Sequence, residues 1–139
     1  MKRLITCILI LALCLSIGQP VLAAQPPIVS PQYTNAYLLN LSLEISNSGL
    51  ASITLTCSGK SGLKSTVAHV TLEKKVNGVW TKVDIPPAGD MWSSTFLTRN
   101  FNHTYTHQLT SRGEYRAVAE LTLVAGTTES VTLTATATY

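Results

Sequence analysis

His103 and His107 stand four residues apart, the spacing that puts two imidazoles on one metal ion when the segment is helical. Their neighbours alternate in polarity with a period of two, and on a strand four residues cover about 13 Å at roughly 3.3 Å each. Rings that far apart do not share an ion, so no metal and no cofactor is expected. Cys57 and His69 are the residue types of a nucleophile and its base. Cys57 follows Leu55 on an alternating run, where a lone cysteine acts as a small buried hydrophobe, and burial raises a thiol pKa rather than activating it. Asp84 and Asp90 flank Pro86-Pro87 as a candidate carboxylate pair, but acids in a solvated turn are not tuned for proton transfer. These residues predict no enzyme.

Binding needs less machinery, because sandwich-type domains bind through loops and flat faces. Trp92, between Met91 and Ser93 in the long stretch after Pro86-Pro87, is expected to be exposed; with Tyr33 it is the candidate platform for a sugar ring. Trp80 is expected in the core. The partner implied is another protein or a surface glycan. Asn40-Leu41-Ser42 and Asn102-His103-Thr104 fit the glycosylation acceptor pattern, which matters only in a eukaryotic secretory route.

The chain that must position these residues has 139 of them, 45% hydrophobic and 12% charged, which suits one compact domain and excludes nucleic-acid binding by charge. Met1-Lys2-Arg3, the apolar run Leu4 to Ile17, Gly18, Pro20 and the small-residue exit Val21-Leu22-Ala23-Ala24 read as a signal peptide cut after Ala23 or Ala24. The apolar run is short of the roughly 20 residues that span a bilayer, so no membrane span is expected in the mature chain. Without Lys2 and Arg3, eight Lys and Arg remain against seven Asp and Glu, and no electrostatic partner is implied. Cys7 and Cys14 leave with residues 1–24, Cys57 remains alone, and the mature chain is expected to be secreted without an internal disulfide.

Residues 25–36, with Pro26, Pro27 and Pro31, read as an extended leader, and 37–139 as the folded domain. Period two governs the domain. Leu39, Leu41, Leu43 and Ile45 alternate with Asn40, Ser42 and Glu44; Ile53, Leu55 and Cys57 with Ser52, Thr54 and Thr56; Ala68, Val70 and Leu72 with Val67, His69 and Thr71. Asn77-Gly78 predicts a tight hairpin, since both turn positions require positive φ, with Val79 to Ile85 returning antiparallel. Thr95 to Phe101 and Tyr105 to Leu109 read as strand material interrupted by Asn100 and Asn102. Tyr115 to Leu123 and Val131 to Ala137 form a last pair across Gly126-Thr127. No stretch has a helical period. About seven short antiparallel strands with regular turns predict an all-β, single immunoglobulin-like sandwich.

Ser111-Arg112-Gly113-Glu114-Tyr115-Arg116-Ala117 resembles the entry to the sixth strand of immunoglobulin and fibronectin type III domains, where a Tyr after a turn Gly ties its hydroxyl to upstream backbone. That resemblance gives Tyr115 and Gly113 structural roles. It also places Cys57 and Ala117 where disulfide-bonded members carry their two cysteines, so no such bridge forms here. Taken whole, the chain resembles a group of small, mostly uncharacterised secreted proteins of Gram-positive bacteria, through its signal peptide, Pro31-Gln32-Tyr33-Thr34-Asn35, Lys75-Val76-Asn77-Gly78-Val79-Trp80, Gly113-Glu114-Tyr115-Arg116 and Thr136-Ala137-Thr138-Tyr139. The resemblance implies the compartment and the sandwich, and no activity or catalytic residue comes with it.

Overall fold

The computed structural model describes residues 31–139. The expected signal peptide, residues 1–24, and the leader as far as residue 30 lie outside the described residues. Eight strands follow among those described: β1 (Ala36–Ile45), β2 (Leu50–Gly59), β3 (Ser65–Val76), β4 (Val79–Lys82), β5 (Trp92–Phe96), β6 (Asn100–Gln108), β7 (Glu114–Val124) and β8 (Thr128–Thr138). All pairings are antiparallel. One sheet has the order β1-β2-β6; the other runs β4-β3-β7-β8, with β5 also on β3. The first, second and sixth strands in one layer, with the third, seventh and eighth in the other, make an immunoglobulin-like sandwich.

The core follows from alternation. Leu39, Leu41 and Leu43 of β1, Ala51, Ile53, Leu55 and Cys57 of β2, Ala68, Val70 and Leu72 of β3, and Tyr115, Ala117, Ala119, Leu121 and Leu123 of β7 are all buried between the layers. Their polar neighbours point outward, where β-branched threonine suits a pleated and half-solvated face; Thr54 and Thr104 hydroxyls meet there at 3.0 Å. Asn100 and Asn102 do not interrupt a strand. They occupy outward positions of β6 opposite Ser58 and Thr56, where a polar side chain costs nothing, so β6 opens at Asn100 and runs through Asn102; the break in the run Thr95 to Phe101 falls instead at residues 97–99, between β5 and β6. The strand expected over Val79 to Ile85 stops at Lys82, and Ile85 is buried instead in the following loop, bridged to Gly89.

β3 serves two partners along one edge. β4 pairs with Glu73 to Val76, while β5 pairs with Thr66 to Val70. The chain then crosses from β5 into β6 of the opposite sheet, and aromatic rings close the side where the layers part. Phe96 stacks on Phe101 (3.8 Å, 10°), His103 lies edge-on to Tyr105 (4.6 Å, 72°), and Trp92 tilts against Tyr105 at 5.3 Å.

Two local ties hold the frame. Tyr115, at the start of β7, donates its hydroxyl hydrogen to the Ser111 carbonyl at 2.6 Å. Gly113 precedes it at φ 152°, and a Cβ there would meet Lys74 Cε at 2.8 Å. The second tie involves the end of the expected leader, which belongs to the packed body: Asn35 and Ala36 are buried, and Ala36 opens β1. The backbone amides of Thr34 and Asn35 donate to the Glu129 carboxylate at 2.8 and 2.7 Å, and Asn35 Nδ2 donates to the Thr127 carbonyl at 3.1 Å.

Candidate functional site

The proposed Trp92 and Tyr33 platform is not assembled. Trp92 opens β5, half-buried on the core with its ring on Tyr105, and is not in a loop. Tyr105 pairs with Ile53 in the middle of β2, whereas Tyr33 lies beyond Ala36, which pairs with Gly59 at the strand's far end. Six residues of strand separate those levels, about 20 Å. Tyr33 packs partly on the core, and its carbonyl accepts from Lys60 Nζ at 2.7 Å.

The catalytic pairings fare no better. Cys57 faces the interior, while His69 lies between inward-facing Ala68 and Val70 and so points from the outer side of β3. Burial pushes the Cys57 thiol up from its usual value of 9.0; the Thr66 hydroxyl partly offsets this, at a geometry that leaves Thr66 Oγ1 without a hydrogen-bond partner among the described residues. A protonated, enclosed thiol is no nucleophile. His103 and His107 share the inner side of β6 with Tyr105 between them, and among the described residues no three His, Cys, Asp or Glu side chains come together as a metal site. Asp90 is exposed, its carboxyl held below the usual carboxylate range by the hydrogen bond and charge of Lys82, 3.0 Å away. Held ionised, it cannot serve as a general acid near neutrality.

The side chains that do converge lie on the outer face of the five-stranded sheet, around Trp80. Asn77 (φ 52°) and Gly78 (φ 83°) form the tight turn between β3 and β4. A two-residue turn fixes the register, setting Val79 opposite Val76 and Trp80 opposite Lys75. Directly opposed residues share a face, so Trp80 is placed with Glu73 and Lys75 on the solvent side and not in the core. From β7, Arg116 lies over the indole at 4.6 Å, with Lys75 Nζ at 5.4 Å. Each cation is itself held: Arg116 Nε and Nη2 donate to Glu73 Oε2 at 2.8 and 2.5 Å, and Lys75 donates to Glu114 at 3.0 Å.

Each such contact contributes little alone, about 0.5 to 1 kcal/mol for a cation on an exposed ring and no more for a surface ion pair. Together they fix five long side chains in one arrangement with two positive and two negative charges. Immobilising such side chains on binding costs about 0.5 to 1.5 kcal/mol each, so a patch ordered beforehand avoids that loss. Beside it, a hollow of about 140 Å³ is lined by His69, Thr71, Glu73, Lys82, Met91, Val118 and Glu120. Among the described residues, His69 Nδ1 is buried there without a hydrogen-bond partner and Glu120 makes no ion pair.

Lys75, Glu114 and Arg116 stand in segments that carry the resemblance, but neither they nor Glu73 were expected to form a site, although part of the signal was present. Asn77-Gly78 alone sets Trp80 against Lys75; the reach of Arg116 depends on the pairing of β3 with β7, which no local pattern announces.

No protein-family model and no curated protein matches the chain. Among solved structures it is similar to the CARDB domain of the PF1109 protein from Pyrococcus furiosus, crystallised in complex with di-metal ions. Identity is 18% and the TM-score 0.40, over 82% of this chain and 95% of that one. At that level the metal ions remain a property of that protein.

Proposed function

We propose that the protein is an exported, non-catalytic β-sandwich module that acts outside a bacterial cell by contact with a protein or a cell surface, through the outer face of its five-stranded sheet. The observation that carries this reading is Trp80, half-buried and fixed between Arg116 and Lys75 on an otherwise hydroxyl-rich sheet. Tryptophan and arginine are the residue types that most often dominate binding energy when they sit at the centre of an interface. The N-terminal sequence supports export, and a protonated Cys57 enclosed away from His69 supports a non-catalytic role.

The test is binding of the labelled protein to cell envelopes of the producing organism. Trp80→Ala and Arg116→Ala are expected to weaken binding at least tenfold with unchanged circular dichroism, while Thr104→Ala on the opposite sheet leaves it intact. Equal binding by all four proteins would remove the assignment to this face. Binding to a glycan array that survives Trp80→Ala and vanishes on Trp92→Ala with unchanged circular dichroism would replace it with a carbohydrate module.

A further inference from the structure

β8 is a long sheet edge without the devices that usually protect one. It pairs with β7 from Thr128 to Thr138 with no register shift. Gly113 and Tyr139, just beyond, exchange both backbone hydrogen bonds, at 3.2 and 2.9 Å. Bonded and non-bonded pairs alternate along an antiparallel ladder. Counted from Gly113 and Tyr139, therefore, Val131, Leu133, Ala135 and Ala137 bond to β7. Ser130, Thr132, Thr134, Thr136 and Thr138 turn their N–H and C=O groups the other way, where no described strand pairs with them.

Natural sheets blunt such edges with lysine, proline, a bulge or brevity. Three of the other edge strands are blunted in these ways: β1 carries Glu44 and a register shift between Ala36 and Leu38, and β4 and β5 have only four and five residues. From Ser130 to Tyr139 there is no charged side chain and no proline. Val131, Leu133, Ala135 and Ala137 are only half-buried, whereas their β7 partners Ala117, Ala119 and Leu121 are fully enclosed.

We propose that a second copy of this chain docks on this edge, β8 against β8, antiparallel about a two-fold axis through Thr134. The repeat makes the strand complementary to itself. Thr134 meets its own copy, Thr132 meets Thr136 and Ser130 meets Thr138, every one an outward-bonding residue, giving about ten new N–H···O bonds in five pairs. On the outer face hydroxyl stands opposite hydroxyl, a favourable cross-strand pairing. On the inner face Leu133 stands opposite Ala135 and Val131 opposite Ala137, so the half-buried row gains apolar cover. No register within this segment sets like charges together. The result is one continuous sheet through both copies, and it does not depend on the function assigned to the Trp80 patch.

Sedimentation equilibrium of the purified protein at micromolar concentration tests the proposal, with Thr134→Pro and Thr134→Lys beside it. The unsubstituted protein is expected at twice the chain mass. Thr134→Pro deletes an amide that β7 does not use, and Thr134→Lys sets two ammonium groups at the axis; both are expected at the single-chain mass with the β spectrum retained. Should the proline variant lose that spectrum, the lysine variant decides. Hydrogen exchange at Thr132, Thr134 and Thr136 is expected on the order of tenfold slower in the unsubstituted protein than in Thr134→Lys. A single-chain mass for the unsubstituted protein, a doubled mass that survives Thr134→Lys, or equal exchange at those amides would each overturn the proposal.

Discussion

Tyr115 donates its phenolic hydrogen to the carbonyl of Ser111 at 2.6 Å, four residues upstream, so the residue that opens β7 also fixes the loop that delivers it. The ring is buried, and the hydroxyl is its one polar tie. Tyr115→Phe keeps the packing and removes the bond. It is expected to lower stability by about 1 to 2 kcal/mol in urea unfolding, a buried hydrogen bond plus the cost of an under-satisfied carbonyl. No loss would mean that the loop is held by its other contacts, chiefly Lys74 on Ser111 Oγ at 2.7 Å.

Glu129 receives both amides that lead into β1. Glu129→Ala leaves the Asn35 amide without its charged acceptor and is expected to cost about 1 to 3 kcal/mol. Amide exchange at Thr34 and Asn35 should accelerate while exchange in mid-β7 changes only with global stability. Equal acceleration everywhere would show that Glu129 acts on the whole sandwich.

Stability should fall in alkali. Burial raises the Cys57 thiol from 9.0 and the Tyr105 phenol from 10.0, the latter partly offset by the nearby Ser94 hydroxyl, although Tyr105 Oη has no hydrogen-bond partner among the described residues. The unfolded chain therefore gives up these protons first. Between the unfolded and folded pKa values it binds fewer protons than the native state, so stability declines as pH rises past 9.0 and again past 10.0. Below 9.0 the contribution is fully present. Urea midpoints from pH 8 to 11 should show this decline, with Cys57→Ala flattening the first part and Tyr105→Phe the second.

Thr66 is fully enclosed, and its Oγ1 has no hydrogen-bond partner among the described residues. Thr66→Val replaces that hydroxyl by a methyl group of similar shape. It is expected to be neutral or to raise stability by about 1 kcal/mol, because no partner is orphaned by the change. A marked destabilisation would reveal that the hydroxyl supports Cys57.

Which side chains face inward was legible from the sequence wherever one face of a strand is buried, as in β1, β2, β3 and β7. Slipping such a strand by one residue would expose a whole row of Leu, Ile or Val, so the pattern is strongly constrained. β5 was not legible, and Trp92 was misplaced with it. Its strand status comes from pairing with Thr66 to Val70, an edge of β3 that its own five residues do not reveal. Trp80 was misjudged for a different reason. It was expected in the core, yet the two-residue turn had already put it beside Lys75, beyond the last enclosed residue of β3, Leu72. The asparagines of β6 looked like breaks because a polar residue facing outward cannot be told from a turn residue without its partner strand.

The pairing of β2 with β6 has a consequence for how fast the native state is reached. Ile53 and Tyr105 are neighbours across the ladder although roughly fifty residues of chain separate them. Before that contact can stabilise anything, the intervening loop must close against its own entropy. The β3–β4 and β7–β8 hairpins need only short loops and can form ahead of it. Refolding after dilution from urea should accordingly take milliseconds to seconds, the range of sandwiches dominated by distant pairings, with nucleation resting on whichever encounter first brings the two layers face to face.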